Sequence, residues 1–195
     1  MRESEEGITT MTAIVDVLTN GYVGERVAGT VVLVRENDAI IVVDPGMVAS
    51  RDAILEPLRG FGVHEDEVTD VIFSHHHPDH TLNAALFRSA RFHDVWAIYQ
   101  DDVWGERTDV IEGAPSVSLL DTPGHTAQDI STLIQTHEGL VVCTHLWWSS
   151  QGPAIDPLAT DQAQLEQSRT KVLGLQPSLI IPGHGPAFAP GELAK

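Results

Sequence analysis

Short apolar runs broken by polar turns dominate the first part of the chain, and their lengths suit strands better than helices. Thr30 to Val34 and Ala39 to Val43 are β-rich and flank the polar stretch Arg35 to Asp38, which predicts a hairpin delivering the turn Asp44-Pro45-Gly46. From Ser50 to Arg59 the period changes. Ile54, Leu55 and Leu58 fall on one side of a helix, and Gly60 and Gly62 stop it. Asp70 to Phe73 returns to a strand. Beyond it, Thr81 to Phe87 has helical spacing, Val95 to Tyr99 is extended, and Val117 to Leu120 is a strand feeding the turn DTPGHT. Ile130 to Gln135 and Leu140 to Thr144 form a second hairpin around His137-Glu138-Gly139. Asp161 to Leu175 reads as an amphipathic helix with Leu165, Ser168, Val172 and Leu175 on one face, followed by the strand Ser178 to Ile181 and the turn PGHG.

This order, strands first and then strand alternating with helix, predicts one α/β domain over residues 1–195, with residues 1–12 and 189–195 as flexible tails. Neither a repeat nor a low-complexity linker divides it. Strand after strand ends in a loop that carries a histidine. One site assembled along one edge of the sheets is the expectation.

Composition narrows the setting. At 195 residues, 42% hydrophobic and 20% charged, the chain is long enough for a core, while its apolar runs are far too short to cross a bilayer. The opening MRESEEG has glutamates where a secretory signal needs a basic start and an apolar stretch, and Met11 offers an alternative start. Cys143 is the only cysteine, so no intrachain disulfide forms and a reducing, cytoplasmic location is expected. Eleven Lys and Arg stand against 28 Asp and Glu, a formal charge of -17 that repels phosphate backbones and anionic membranes. Long nucleic acids and membranes are therefore poor partners and a small molecule is the expected one. The same acidity suits a salty cytoplasm. The sequence sets no oligomeric state.

The candidate chemistry lies in FSHHHPDH, Phe73 to His80. His75, His77, Asp79 and His80 form H-x-H-x-D-H, and imidazoles with one carboxylate are what a borderline cation such as Zn²⁺ prefers. Residues two apart in an extended segment turn to the same side, and Pro78 bends the chain so that Asp79 and His80 address a second point. His125 in TPGHT and His184 in IPGHGP each follow a strand that ends at Pro-Gly. His64, His93 and His137 lie outside these motifs and read as surface residues. His76 points away from its neighbours and carries no assignment. Trp147 and Trp148 are candidates either for a substrate cleft or for the core.

These motifs and their order resemble the metallo-β-lactamase superfamily from about Thr30 to Pro186. The resemblance implies a four-layer αββα sandwich with metals at one edge between two sheets. It assigns His75, His77 and His125 to a first metal and Asp79, His80 and His184 to a second, with Asp44 orienting a ligand histidine. DTPGHTAQDIS, DQAQLEQSRTKVL and PGHGPAF are most similar to the metallo-β-lactamase domain-containing protein 1 group. One or two Zn²⁺ ions are implied, with Fe or Mn as alternatives.

The implied activity is hydrolysis of a small ester, lactone, thioester or amide by a metal-bound hydroxide, with Asp79 as ligand and as acceptor of a hydrogen bond from that hydroxide. A phosphodiesterase or nuclease of the same fold and a non-catalytic metal-binding sensor or scaffold are the alternatives. The sequence departs from the pattern at one place. Where relatives carry an aspartate that bridges the metals, VVCTHLWW has His145, which as a neutral imidazole binds one metal only. His145 is expected within reach of the Asp79/His80/His184 site, with the second metal weakened and an anionic substrate group favoured.

Overall fold

A computed structural model describes residues 12–194. The tail expected over residues 1–12, with the alternative start at Met11, lies outside them except for Thr12. In chain order the strands are β1 (Ile14–Thr19), a small hairpin of β2 (Tyr22–Val23) and β3 (Val27–Ala28), then β4 (Val31–Glu36) and β5 (Ala39–Val43). Next come β6 (Asp70–Ile72), β7 (Arg91–His93), β8 (Ala97–Gln100), β9 (Val103–Glu106), β10 (Val110–Ile111), β11 (Ala114–Asp121), β12 (Ile130–Thr136), β13 (Gly139–Thr144) and β14 (Leu179–Pro182). The helices are α1 (Asp52–Gly60), the single turn α2 (Pro78–Thr81) and α3 (Gln162–Gly174).

Two sheets face each other. One runs β1-β4-β5-β6-β7-β8-β9 and the other β10-β11-β12-β13-β14. Between them Val32, Val34, Ile41, Val43 and Ile72 meet Val117, Leu119, Ile130, Ile134 and Ile181. Period-two alternation sends Leu33 and Val42 to the opposite face, where they pack on Ile54 and Leu58 of α1. Across the second sheet Val142 and Ile180 pack on Leu165 and Val172 of α3. Strands buried on both faces read as continuous apolar runs for this reason. The layers are helix, sheet, sheet, helix, the αββα sandwich the sequence motifs imply.

Several expectations need correction. Thr81 to Phe87 is not one helix: α2 ends at Thr81 and a separate 3-10 turn covers Ala84–Leu86. Asn83 breaks the run because its backbone N–H donates to Pro45 O and its side-chain amide to Gly46 O, pulling the chain onto the turn after β5. Val95 and Trp96 bend, so the strand there begins at Ala97. On α3, Leu165, Ser168 and Val172 are buried as expected, but Leu175 follows the helix and is 42% exposed, and Arg169 joins the buried face. His93 is 2% exposed and not a surface residue; its Nε2 lies 2.6 Å from Asp70 Oδ1 inside the fold. His64 and His137 are exposed. In the segment read as a C-terminal tail, Pro190–Glu192 forms a 3-10 turn and Ala194 N–H donates to Ser150 O.

Candidate metal centre

Parallel pairing fixes where the histidines gather. β5 pairs parallel with β6, and β13 with β14, while β11 and β13 flank β12 antiparallel and so point the same way. Asp44 follows β5, His75 and His77 follow β6, His125 follows β11, and His145 and His184 follow β13 and β14. All of these side chains therefore emerge at one edge. Pro78 occupies the first turn of α2, where a missing N–H costs nothing, and α2 carries Asp79 and His80 inward.

One ligand atom each from His75, His77 and His125 lies within 4.8 Å of the others, and the same holds for Asp79, His80 and His184. His145 joins two further sets, one with His75 and His80 and one with His125 and Asp156. Its ring centroid is 4.1 Å from that of His125 and 4.5 Å from that of His75, and its Nε2 is 3.3 Å from His184 Nε2. The ring is thus near both triads rather than beside the Asp79 set alone. It fits because residue 183 is glycine: a Cβ there would meet His145 Cδ2 at 2.3 Å.

Fixed acceptors behind the rings set their tautomers. His184 Nδ1 donates to Ala28 O at 2.8 Å, which leaves its Nε2 lone pair facing inward. His80 Nδ1 is 2.9 Å from Asp44 Oδ2, and His125 Nδ1 is 2.8 Å from Asp156 Oδ2. Ser74 Oγ donates to Asp44 Oδ2 at 2.6 Å, so it accepts from His75 Nδ1 at 2.9 Å. Four rings are therefore pinned at Nδ1 and offer Nε2, the arrangement by which outer carboxylates and carbonyls orient ligand histidines.

The electrostatics suit a cation. Burial holds His75 and His145 well below the ordinary imidazole range, with the neighbouring rings adding to it, and it lowers His125 and His184 as well. Neutral rings keep their lone pairs. Burial opposes ionisation of Asp79, yet the hydrogen bond and charge of His80 hold its carboxyl down at about 2. Burial also works against a proton on His80, but Asp44 and then Asp79 raise it to about 9, and a metal ion would replace that proton. Among the described residues, buried His75 Nε2 and His145 Nδ1 have no hydrogen-bond partner, and His80 Nε2 has only the long approach of Asp79 Oδ2 at 3.5 Å. Buried nitrogens in that state suit coordination of a cation.

A sequence profile of the metallo-beta-lactamase superfamily matches residues 24–142. The chain belongs to this superfamily. It is 33% identical to metallo-beta-lactamase domain-containing protein 1 of Xenopus laevis, over 93% of this chain and 84% of the frog protein, whereas the matched region spans 59% of the human counterpart. Among solved structures, a Thermotoga maritima protein assigned to the metallo-beta-lactamases superposes with a TM-score of 0.71 at 22% identity, covering 92% of this chain and all of that one. An N-acyl homoserine lactone hydrolase, solved with its product at the catalytic metal center, gives 0.65 at 18% identity, over 91% of this chain and 94% of its own. These likenesses carry the metallo-beta-lactamase fold.

Against that superfamily frame, Asp156, Ser74 and Asp129 are the site residues that sequence reasoning misses. Asp156 is 4% exposed and also accepts from Trp148 Nε1 at 3.1 Å and from Leu158 N–H. Asp129 accepts from the backbone and hydroxyl of Thr126, closing the turn that presents His125, and burial pushes its carboxyl up to about 7. The Asp-Pro-Leu around Asp156 is an ordinary loop signal. Asp129 lay in view, in the motif DTPGHTAQDIS. His76 is turned outward, bonded to Asp94 Oδ2 at 3.0 Å and stacked on Trp96. A cavity of about 260 Å³ opens on the donors. His77, Asp79, His125, His145 and His184 line its base, and Val23, Val27, Trp148 and Leu158 its walls. Trp147 is core.

Proposed function

We propose that the chain is a metal-dependent hydrolase of small carbonyl substrates: an ester, lactone, thioester or amide with an apolar part. The observation that carries this reading is the gathering at one edge of histidine rings pinned from behind by Asp44, Ser74, Asp156 and Ala28, with two of them, His125 and His184, joining His77, Asp79 and His145 in lining a cavity whose walls are apolar. His75, His77 and His125 would hold one ion and Asp79, His80 and His184 another, with His145 in reach of both. A divalent cation there, Zn²⁺ on the chemistry of the donors, supplies a Lewis acid and brings the pKa of its water towards about 7.

The protein's own groups supply orientation. Among the described residues Asp79 is the one carboxylate lining the cavity, and its depressed pKa keeps it an acceptor that aligns the attacking water at neutral pH. Val23, Val27, Trp148 and Leu158 present an apolar surface to the acyl or alkyl part. Cys143 takes no part, because burial pushes its thiol up and away from thiolate. Among the described residues no lysine or arginine lines the cavity, which together with the -17 charge weighs against phosphodiesters.

The test is to strip the protein with chelator, reload it with Zn²⁺, Mn²⁺, Fe²⁺ or Co²⁺, and assay esters, lactones, thioesters, amides and phosphodiesters side by side. Metal-dependent cleavage of a carbonyl substrate, abolished in Asp79→Asn, is expected. No turnover with any ion would leave the binding-only alternative, and faster phosphodiester cleavage would replace the substrate class.

A further inference from the structure

The donors do not divide cleanly into two sets. A third set, His75, His80 and His145, takes one member from each expected triad, and its three rings are 1%, 0% and 4% exposed. His75 Nδ1 is committed to Ser74 and His80 Nδ1 to Asp44, so each ring has a single lone pair to give, on Nε2. Those two Nε2 atoms and His145 Nδ1 are the buried site atoms without a hydrogen bond of ordinary length among the described residues, His80 Nε2 having only Asp79 Oδ2 at 3.5 Å. The outer donors are better placed. His77 Nδ1 and His125 Nε2 lie 3.0 Å apart and satisfy each other, and His184 Nε2 lies 3.3 Å from His145 Nε2.

We propose that His75, His80 and His145 form an interior cation site built of imidazoles alone, which takes the first ion at limiting metal and cannot be filled together with the two outer sites. The inference rests on reading the cluster as a metal centre. An ion bound here draws on all three residues that carry a nitrogen without an ordinary hydrogen bond, whereas an ion in either outer triad draws on one of them, His75 or His80. Exclusion follows from the single lone pairs: two ions in the outer triads withdraw His75 and His80 from the interior set. A second equivalent must therefore move the first ion outward, and uptake proceeds in two unequal steps. With no carboxylate in the set, the first step favours Zn²⁺ or Co²⁺ over Mn²⁺.

The experiment titrates the full, metal-stripped chain with Zn²⁺ and with Co²⁺ by calorimetry, for the parent, His145→Ala and His77→Ala, with melting curves to verify folding. Loss of first-ion affinity by about tenfold or more in His145→Ala, with little change in His77→Ala, is expected, on the scale that disturbing a metal site's support produces. Equal first-ion affinity in His145→Ala, or a first ion lost with His77 instead, would overturn the proposal. X-ray absorption on the parent at half an equivalent needs no variant to fold. Imidazole scattering without carboxylate agrees with the interior set, and a carboxylate ligand to the first ion rules it out. A protein that binds in this way but hydrolyses nothing sinks the proposed function alone; one that hydrolyses while its first ion follows His77 sinks this inference alone.

Discussion

Asp44 Oδ2 lies 2.9 Å from His80 Nδ1 while Asp44 Oδ1 takes the backbone N–H of Ser74 at 2.7 Å, so one carboxylate ties the end of β5 to both His75, through Ser74, and His80. Asp44 sits at φ 53, a left-handed conformation that asparagine also tolerates, so Asp44→Asn removes charge without adding backbone strain. Metal affinity should fall by about 10- to 100-fold. Competition against a chelator of known affinity measures it, and an unchanged constant would show that Asp44 serves the turn and not the ring.

Asp156 supports the opposite side of the site. Because it accepts from both His125 Nδ1 and Trp148 Nε1, Asp156→Asn should weaken metal binding by about tenfold and shift Trp148 emission together. Fluorescence and calorimetry on the same samples test the link. Weaker binding with unaltered emission would mean that His125 and Trp148 do not share this anchor.

Gly183 approaches His145 so closely that Gly183→Ala must displace the ring. Overpacking of this kind costs about 1–3 kcal/mol, and here it should also disturb metal uptake. Gly191, where an added Cβ meets nothing within 4 Å, is the control. Denaturant melts of Gly183→Ala and Gly191→Ala should separate by that margin; coincident melts would show that the ring moves freely.

How much was legible in the sequence depended on range. His75, His77, Asp79 and His80 share one stretch, so a strand period of two and one proline sufficed to place them. His125 and His184 carry their own strand and Pro-Gly turn. Asp156 contributes through a contact 31 residues from His125, with no period to mark it. The same reason hides the burial of His93, since only the parallel pairing of β6 with β7 brings Asp70 beside it. Thr81 to Phe87 had helical spacing, but Asn83 found stronger partners on Pro45 and Gly46 than a helix could offer. Local pattern carried the two layers with long apolar strands, and tertiary hydrogen bonds decided the remainder.

Asp70 provides the pH dependence. It is fully buried away from the histidine cluster, 2.6 Å from His93 Nε2, with Arg91 Nε and Nη2 on its two oxygens at 2.9 and 3.0 Å. Burial alone would raise its pKa, but the hydrogen bonds from His93, Arg91 and Thr69 outweigh it and hold the carboxyl below the ordinary range. A carboxyl depressed in the folded state binds fewer protons there than in the unfolded chain. Its contribution is therefore complete above the unfolded pKa of about 4 and is lost as pH falls through the lower folded value. Asp70→Asn removes that contribution and leaves Arg91 and His93 without their buried partner, a loss of about 3–5 kcal/mol near neutrality by analogy with other broken buried pairs. Urea melts of both proteins from pH 7 down to about pH 3 should show a constant gap that begins to narrow below about pH 4, where the unfolded carboxyl takes up its proton. A gap that stays constant across that range would mean that Asp70 contributes through shape and hydrogen bonding and not through its charge.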